Sequence, residues 1–206
     1  MSAPAISPPD RHEGHKTLAL PLDDSRGTWA IWLTICTEAF LFVALFSGYF
    51  FLAIGKDRWN LEEPPKLHYV IPMLVILLFS SVVIHWGEKQ VKKEHYGKGR
   101  AALVLTFILG IVFLALSAFD YKEGWQTVTP QTNTYGSIFY TIVSFHAAHV
   151  IMGLIILGYV FFIPRYAPTE RTPYKPYHVG SMYWHFIDVV WVFVVFILYV
   201  TPNVVR

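Results

Sequence analysis

The chain has 206 residues, of which 54% are hydrophobic and 15% are charged. Typical soluble domains carry roughly 25% charged residues, which cover their surface. The composition therefore argues against an ordinary soluble domain. The formal net charge is +2, and the Lys and Arg residues lie in separate short segments rather than in one basic block. Nothing in the sequence therefore indicates a nucleic-acid partner.

All but two of the charged residues lie in the segments around five apolar stretches. These stretches contain two carboxylates and no Lys or Arg, and each is 18 residues long or longer. About 20 apolar residues are enough to span a hydrocarbon core of roughly 30 Å. The sequence therefore predicts an all-α, polytopic membrane helix bundle. Its five transmembrane helices are predicted at about 29–53, 69–86, 101–119, 137–163 and 182–200.

The distribution of Lys and Arg predicts the orientation of the bundle. The N-terminal tail and the loops 88–100 and 164–180 together carry eleven of these residues, and the opposite side carries five. Because cytoplasmic loops carry the excess, the N-terminus is predicted to be cytoplasmic and the C-terminus to lie outside. Residues 1–27 lack the apolar core of a cleavable signal peptide. They are predicted to form a cytoplasmic tail before a single transmembrane domain at 28–206.

Small and aromatic residues in the predicted spans indicate packing roles. Gly110, Gly153 and Gly158 are expected to let helices approach closely. The connections between helices are expected to run about 13–17 residues. Amphipathic rings near the predicted span ends are expected to lie at the membrane–water interface. These rings belong to Trp29, Trp32, Tyr69, Trp86, Tyr135 and Trp184.

An acidic residue, Glu38, lies roughly 14 Å inside the first predicted helix. An ionised carboxylate at that depth costs several kcal/mol unless it is neutralised, paired or hydrated. Two interpretations remain open, a proton-handling site and a structural hydrogen bond to a neighbouring helix. Since the fourth helix runs in the opposite direction, its His149 can lie at a similar depth. We therefore predict that Glu38 faces the fourth helix, with His149 as its partner.

Two histidines, His146 and His149, are three residues apart and so share a face of the fourth helix. They are compatible with haem ligation or with hydrogen bonds to other helices. One helix cannot supply both axial ligands of one iron, and the remaining intramembrane histidines, His85 and His185, are expected near the inner ends of their helices. A b-type haem anchor is therefore kept only as an alternative.

A second polar pair, His185 and Asp188, lies one turn apart in the fifth predicted helix. A carboxylate in that position can orient the imidazole ring and hold its charge. A metal site needs three or four convergent ligands, and no carboxylate or cysteine of another span is expected at that depth. The pattern therefore favours a structural hydrogen-bond lock and predicts no metal.

Catalytic motifs are absent from the sequence. It contains no Ser-His-Asp set, phosphate-cradling glycine loop, cysteine cluster or dinucleotide fingerprint, and its single cysteine, Cys36, lies inside the first predicted span. The residues by themselves indicate a supporting subunit, a small transporter or a cofactor anchor.

Four helices carry short motifs that follow one another in a fixed order. The first has Thr-Glu-Ala-Phe-Leu-Phe at 37–42, and the third ends in Ala-Phe-Asp-Tyr at 118–121. The fourth has Tyr-Gly-Ser at 135–137 and Phe-His-Ala-Ala-His-Val at 145–150, and the fifth has Tyr-Trp-His-Phe-Ile-Asp-Val-Val-Trp at 183–191. Besides the polar pairs above, the motif residues singled out as candidate site residues are Asp120, Tyr121, Tyr135, Gly136, Ser137, Tyr183, Trp184 and Trp191.

In this order and spacing, the motifs resemble subunit III of the haem–copper respiratory oxidases, over nearly all of residues 27–200. The chain is similar to a bacterial five-helix form, which lacks the first two helices of the seven-helix mitochondrial form. In the longer form those helices make one wall of a cleft that holds phospholipid. Asp120 stands where the family usually has Glu, which shortens that side chain by one methylene.

The resemblance implies a non-redox subunit of a cytochrome c or quinol oxidase in the bacterial plasma (inner) membrane. It implies direct docking on subunit I, which holds haem and copper, and assembly with subunit II and small subunits. It also implies contact with phospholipid, support of proton uptake and no catalysis by this chain alone. By this resemblance, His85, His185 and Asp188 are expected near a proton entry. An accessory subunit of a nitric oxide reductase remains an alternative.

Overall fold

The fold is a bundle of five long helices, seen in a computed structural model that describes residues 26–54, 67–127, 129, 131, 134–166 and 174–204. Five helices are long and apolar enough to cross a membrane, and no strand occurs among these residues. The predicted all-α bundle with five spans is therefore confirmed. Residues 1–25 of the predicted tail lie outside the described part. The helices are α1 (Arg26–Ala53), α2 (Val70–Lys92), α3 (Tyr96–Thr127), α4 (Thr134–Tyr166) and α5 (Tyr174–Val194).

The helices extend beyond the predicted spans because the chain stays helical past the first charged residues. The largest differences, of eight residues each, are at the end of α3, which ends at Thr127 rather than at residue 119, and at the start of α5, which begins at Tyr174 rather than at residue 182. The predicted length of 13–17 residues is wrong for three of the four helix connections: α3 and α4 are separated only by 128–133, α4 and α5 by 167–173, and α2 and α3 by 93–95. Glu94 in this turn has φ 63°, the left-handed conformation that commonly ends a helix. The α2–α3 pair is therefore a tight helical hairpin.

Helix α5 is the central element of the bundle. Within its membrane-spanning window 61% of the residues are buried inside the chain, against 11% for α1. Its main packing partners are α1, α2 and α4, while α3 packs on α2 and α4. Helix α1 contacts mainly α4 and α5 and is the most peripheral of the five.

A buried tryptophan joins four of the helices. Trp184 of α5 is fully buried, and its Nε1 donates to Ser80 Oγ of α2 over 2.8 Å. A Cβ at Gly110 of α3 would lie 2.7 Å from Trp184 Cη2, and one at Gly153 of α4 would lie 3.1 Å from Trp184 Cε3. The predicted close approach is thus confirmed at both glycines. It is wrong at Gly158, where a Cβ would meet nothing within 4 Å.

The predicted interfacial belt is only partly correct. Trp184 and Tyr135 are buried inside the bundle, because each has a hydrogen-bond acceptor on a neighbouring helix that satisfies its polar end. Both were expected at the interface, and that prediction is wrong. Of the predicted belt tryptophans, Trp29, Trp32 and Trp86 are exposed on the bundle surface, as belt residues are.

The C-terminal end of α5 continues as a π-helical segment, Val195–Val200, before a last α-helical turn, Thr201–Val204. The wider turn of a π-helix changes which carbonyls are bonded within the helix. Tyr135 of α4 donates to the Leu198 carbonyl over 2.8 Å, and Tyr199 donates to Asp120 Oδ2 of α3 over 2.9 Å. Two of the motif residues therefore tie this end of α5 to its neighbours.

Candidate functional site

The first polar site joins α1 to α4. Glu38 Oε2 lies 2.9 Å from His149 Nε2, so the expected contact between the two residues is present. Their side chains are 33% and 13% exposed, respectively. The other ring nitrogen, His149 Nδ1, lies 2.6 Å from the Phe145 carbonyl oxygen one turn earlier. Phe42 packs edge-on against the His149 ring, with centroids 5.0 Å apart.

These contacts determine how many protons the pair holds. A carbonyl oxygen only accepts, so His149 Nδ1 carries a hydrogen and donates it to Phe145. The second nitrogen then either accepts a hydrogen bond from protonated Glu38 or donates one to ionised Glu38. In both states the pair has no net charge and shares one proton between Oε2 and Nε2. A neutral pair avoids the cost of an isolated charge in hydrocarbon.

The neighbouring histidine has a different environment. His146 is buried, stacks on Trp191 of α5 with centroids 4.8 Å apart and meets Phe113 of α3 edge-on at 5.8 Å. Neither of its ring nitrogens has a hydrogen-bond partner among the described residues. The predicted hydrogen bonding to other helices therefore holds for His149 alone. Aromatic rings enclose His146, and this packing disfavours its use as a haem ligand.

The second polar site joins α2 to α5. Ser81 Oγ of α2 donates to Asp188 Oδ2 and lies 2.9 Å from His185 Nδ1. Asp188 is buried. The lock predicted for His185 and Asp188 is thus present, but it depends on Ser81, which the sequence analysis missed. Serines of membrane helices commonly bond their own backbone, as Ser80 does to the Leu77 carbonyl over 2.7 Å, so no local signal distinguishes Ser81.

The exposed His85 of α2 lies beside this site, with its ring centroid 6.1 Å from that of His185. The structure therefore brings together the three residues His85, His185 and Asp188 that were grouped by resemblance. Within the described ranges no group of three or more His, Cys, Asp or Glu side chains is arranged to hold a metal ion.

The order of the groups distinguishes this site from a hydrolase triad. In a catalytic triad the histidine lies between the serine and the carboxylate and takes the serine proton. Here the hydroxyl of Ser81 lies between the imidazole and the carboxylate, and its hydrogen is directed at Asp188. The arrangement is suited to passing a proton between His185 and Asp188 and not to generating a nucleophile.

The remaining motif residues have packing positions. Tyr121 stacks on Trp125 with centroids 5.6 Å apart. Tyr183 is buried and tilted against Phe186. At the start of α4 the two residues after Tyr135 differ in exposure, with Gly136 buried and Ser137 exposed.

Five helices long and apolar enough to cross a membrane, joined by polar contacts, place the chain in the class of polytopic integral membrane proteins. The family model for cytochrome c oxidase subunit III matches residues 12–202 of this chain. The chain therefore belongs to the cytochrome c oxidase subunit III family, and the resemblance seen in the sequence is confirmed. It is a multi-pass membrane protein and a subunit of a respiratory haem–copper oxidase complex.

Individual relatives agree with the family model. The chain is 33% identical over 177 residues to cytochrome c oxidase subunit 3 of Bacillus subtilis, covering 82% of this chain and 83% of the relative. It is 30% identical over 190 residues to the Synechocystis sp. protein of the same name, covering 91% and 77%. The Aedes aegypti protein is 29% identical over 179 residues, covering 83% and 68%.

Proposed function

We propose that this subunit docks directly on oxidase subunit I through α1, stabilises it and supports its proton uptake while oxygen is reduced to water. Haem and copper are held by the partner subunits, and this chain contributes no redox centre. Subunit II and small subunits complete the assembly, and phospholipid covers the remaining apolar surface. Catalysis belongs to the complex, and this chain alone is not catalytic.

The exposure of Glu38 is the observation that carries the docking. Glu38 lies 12 residues into the 28-residue α1, about 18 Å along the helix and close to its middle. One third of its side chain is uncovered, although α1 is the most peripheral helix. A carboxyl group facing hydrocarbon is costly, and polar groups of a protein partner remove that cost. The face of α1 that carries Glu38 is therefore the docking face that we propose.

The support of proton uptake rests on the two polar sites. Each contains an acid and an imidazole joined through hydrogen bonds inside the bundle, at Glu38–His149 and at Asp188–Ser81–His185. Groups of this kind hold and exchange protons without electron transfer. This chemistry fits a subunit that assists an oxygen-reducing partner.

Localisation and complex type follow from charge and from the relatives. The excess of Lys and Arg supports a cytoplasmic tail at 1–27, and the bacterial relatives support a single domain at 28–206 in the plasma (inner) membrane of a bacterium. The relatives are named as cytochrome c oxidase subunits. Their names favour cytochrome c over quinol as electron donor, and the oxidase over a nitric oxide reductase or a haem anchor.

Site-specific photo-cross-linking in native membranes tests the docking. A photoreactive residue at position 41 replaces Leu41, which lies one turn from Glu38 on α1 and is exposed. It is expected to cross-link to subunit I. The matched control replaces Val82, which is exposed on α2, and is expected to label lipid only. Cross-links to subunit I from position 82 and none from position 41 would refute the proposed docking face.

A further inference from the structure

One face of α5 carries a polar or titratable residue at every turn of its inner half. Tyr174, His178, Ser181, His185 and Asp188 recur at intervals of three or four residues, which places them along one side of the helix. The 14 residues from first to last correspond to a rise of about 21 Å. A continuous polar stripe of this length is unusual in a membrane helix, because each polar group costs free energy in hydrocarbon.

Helix α2 presents its own polar groups to this stripe. Glu88 Oε1 accepts a hydrogen bond from His178 Nδ1 over 2.8 Å and lies 3.4 Å from the Tyr174 hydroxyl. One turn further along α2, His85 faces His185. A further turn on, Ser81 joins His185 to Asp188, as described above. The interface therefore alternates groups of α2 and α5 from the helix ends into the bilayer.

This row of polar groups on α2 and α5 is exposed to water at one end and buried at the other. At the end near the α2–α3 turn, the side chains of His178 and Glu88 are 36% and 16% exposed. At the other end Asp188 is buried. The next inward-facing residue of α2, Ser80, has its hydroxyl bonded to the Leu77 carbonyl and to Trp184 Nε1, and Leu77 and Met73 beyond it are buried and apolar. Trp191 follows Asp188 on α5, and an indole only donates a hydrogen bond. A proton therefore cannot pass beyond Asp188 through Trp191.

Two buried polar atoms along the stripe have no partner among the described side chains. They are Ser181 Oγ and Asp188 Oδ1. Buried polar groups in proteins are nearly always paired, and internal water commonly supplies the partner. Among the described residues no direct hydrogen bond joins the Glu88–His178 pair to His185, and Ser181, which lies between His178 and His185 on α5, is placed for a water to do so.

We propose that the α2–α5 interface is a dead-ended proton-exchange line. Through it, protons pass between the aqueous phase at the α2–α3 end and the relay formed by Ser81, His185 and Asp188. The path does not cross the membrane. In the unloading step the Ser81 hydroxyl turns from Asp188 to His185; protonated Asp188 Oδ2 then gives its proton to Ser81 Oγ, while the Ser81 hydroxyl proton moves to His185 Nδ1. Asp188 becomes a carboxylate and His185 an imidazolium, which releases its Nε2 proton through water towards His85. No electron is transferred.

This proposal specifies the route for the proton support described under the proposed function, and the test separates the two. The purified whole complex is transferred from H₂O to D₂O, and infrared spectroscopy follows deuteration at the Asp188 carboxyl. The Asp188 signal is identified by its loss in Asp188→Asn. His85→Phe removes the imidazole that takes up and releases the proton in the middle of the line. It is expected to slow this exchange about tenfold or more.

Two further variants serve as controls. His68→Phe changes a histidine on the opposite side of the membrane, which pairs with Glu123 at 3.4 Å, and is expected to leave the exchange at Asp188 unchanged. His85→Gln tests the same step with a smaller polar group that keeps the helix surface polar but cannot pass a proton. It is expected to slow the exchange as His85→Phe does.

The outcomes distinguish the route from the function. Unchanged exchange at Asp188 in assembled His85→Phe and His85→Gln complexes would overturn the route, even if oxygen consumption fell. Slowed exchange at Asp188 in these variants would uphold the route. If their oxygen consumption were nevertheless unchanged at alkaline pH, where protons are scarce, the use of the route in proton uptake would be refuted. Passive proton flux through the complex in liposomes that falls in Asp188→Asn would contradict the dead end.

Discussion

Removing the carboxyl of Glu38 tests the contact between α1 and α4 most directly. In Glu38→Ala the bond from His149 Nδ1 to Phe145 remains, but His149 Nε2 loses the partner it has among the described residues. Leaving a buried polar group unsatisfied costs about 1–3 kcal/mol. Hydrogen bonds between membrane helices average about 0.6 kcal/mol and reach about 1.7 kcal/mol. Because His149 is only 13% exposed, we expect a loss of about 1–2 kcal/mol.

The conservative variant separates charge from hydrogen bonding. In Glu38→Gln the side-chain amide donates to His149 Nε2, so the stability should stay within about 0.5 kcal/mol of the parent value. The matched control is Ser47→Ala on the same helix, because the exposed Ser47 hydroxyl bonds only its own helix, at the Val43 carbonyl. It should also change stability by less than about 0.5 kcal/mol.

The assay is a double-mutant cycle on the purified complex. Dissociation of this subunit is followed in increasing denaturing detergent for Glu38→Ala, His149→Ala and the double variant. We expect a coupling energy of about 1 kcal/mol and an unchanged rate of electron transfer, because no redox centre is touched. Coupling indistinguishable from zero, or a Glu38→Gln variant as unstable as Glu38→Ala, would refute the shared-proton pair.

The remaining predictions concern packing, topology and metal content. Gly153→Ala should be less stable than Gly158→Ala by about 1–3 kcal/mol in detergent unfolding, since both gain helix propensity but only the Cβ at 153 meets the Trp184 ring; equal stabilities would contradict this packing. Reporter fusions after Lys92 and after Lys122 should report opposite sides of the membrane, with Lys92 cytoplasmic; the same side for both would disprove the five-span topology. Metal analysis of the separated, folded subunit should find no stoichiometric iron or copper, and finding either would show that the ligand analysis is wrong.

Properties that follow from depth in the bilayer could be predicted from the sequence. The apolar stretches locate five helices, and the antiparallel direction of α1 and α4 brings Glu38 level with His149. The helix ends could not be located in this way, because charged residues stop a hydrophobic stretch but do not stop a helix. Helix α5 accordingly begins eight residues earlier than its apolar stretch.

Properties that depend on which helix lies beside which could not be predicted. Ser81 has the same local sequence context as Ser80, and only the position of α5 gives one a carboxylate and the other an indole as partner. Trp184 was expected at the interface because amphipathic rings are favoured there. Gly110 and Gly153 instead leave a space for its ring between three helices, and this space exists only in the assembled bundle.

The tight α2–α3 hairpin has a consequence for membrane insertion. A connection of only residues 93–95 holds the two helices antiparallel from the start. Five Lys and Arg residues lie within 88–100, and retaining them on the cytoplasmic side fixes both helices at once. The pair is therefore expected to insert as one unit.

The central position of α5 determines the order in which the helix contacts of this subunit can form during synthesis. The helix with the largest buried share is also the last of the five to leave the ribosome. Before it arrives, α1 and α4 can already pair through Glu38 and His149, while Ser81 of the hairpin lies inside the bilayer without its α5 partners. A nascent chain arrested before α5 therefore presents unpaired polar groups inside the bilayer, which is the feature that membrane quality-control proteases are expected to recognise.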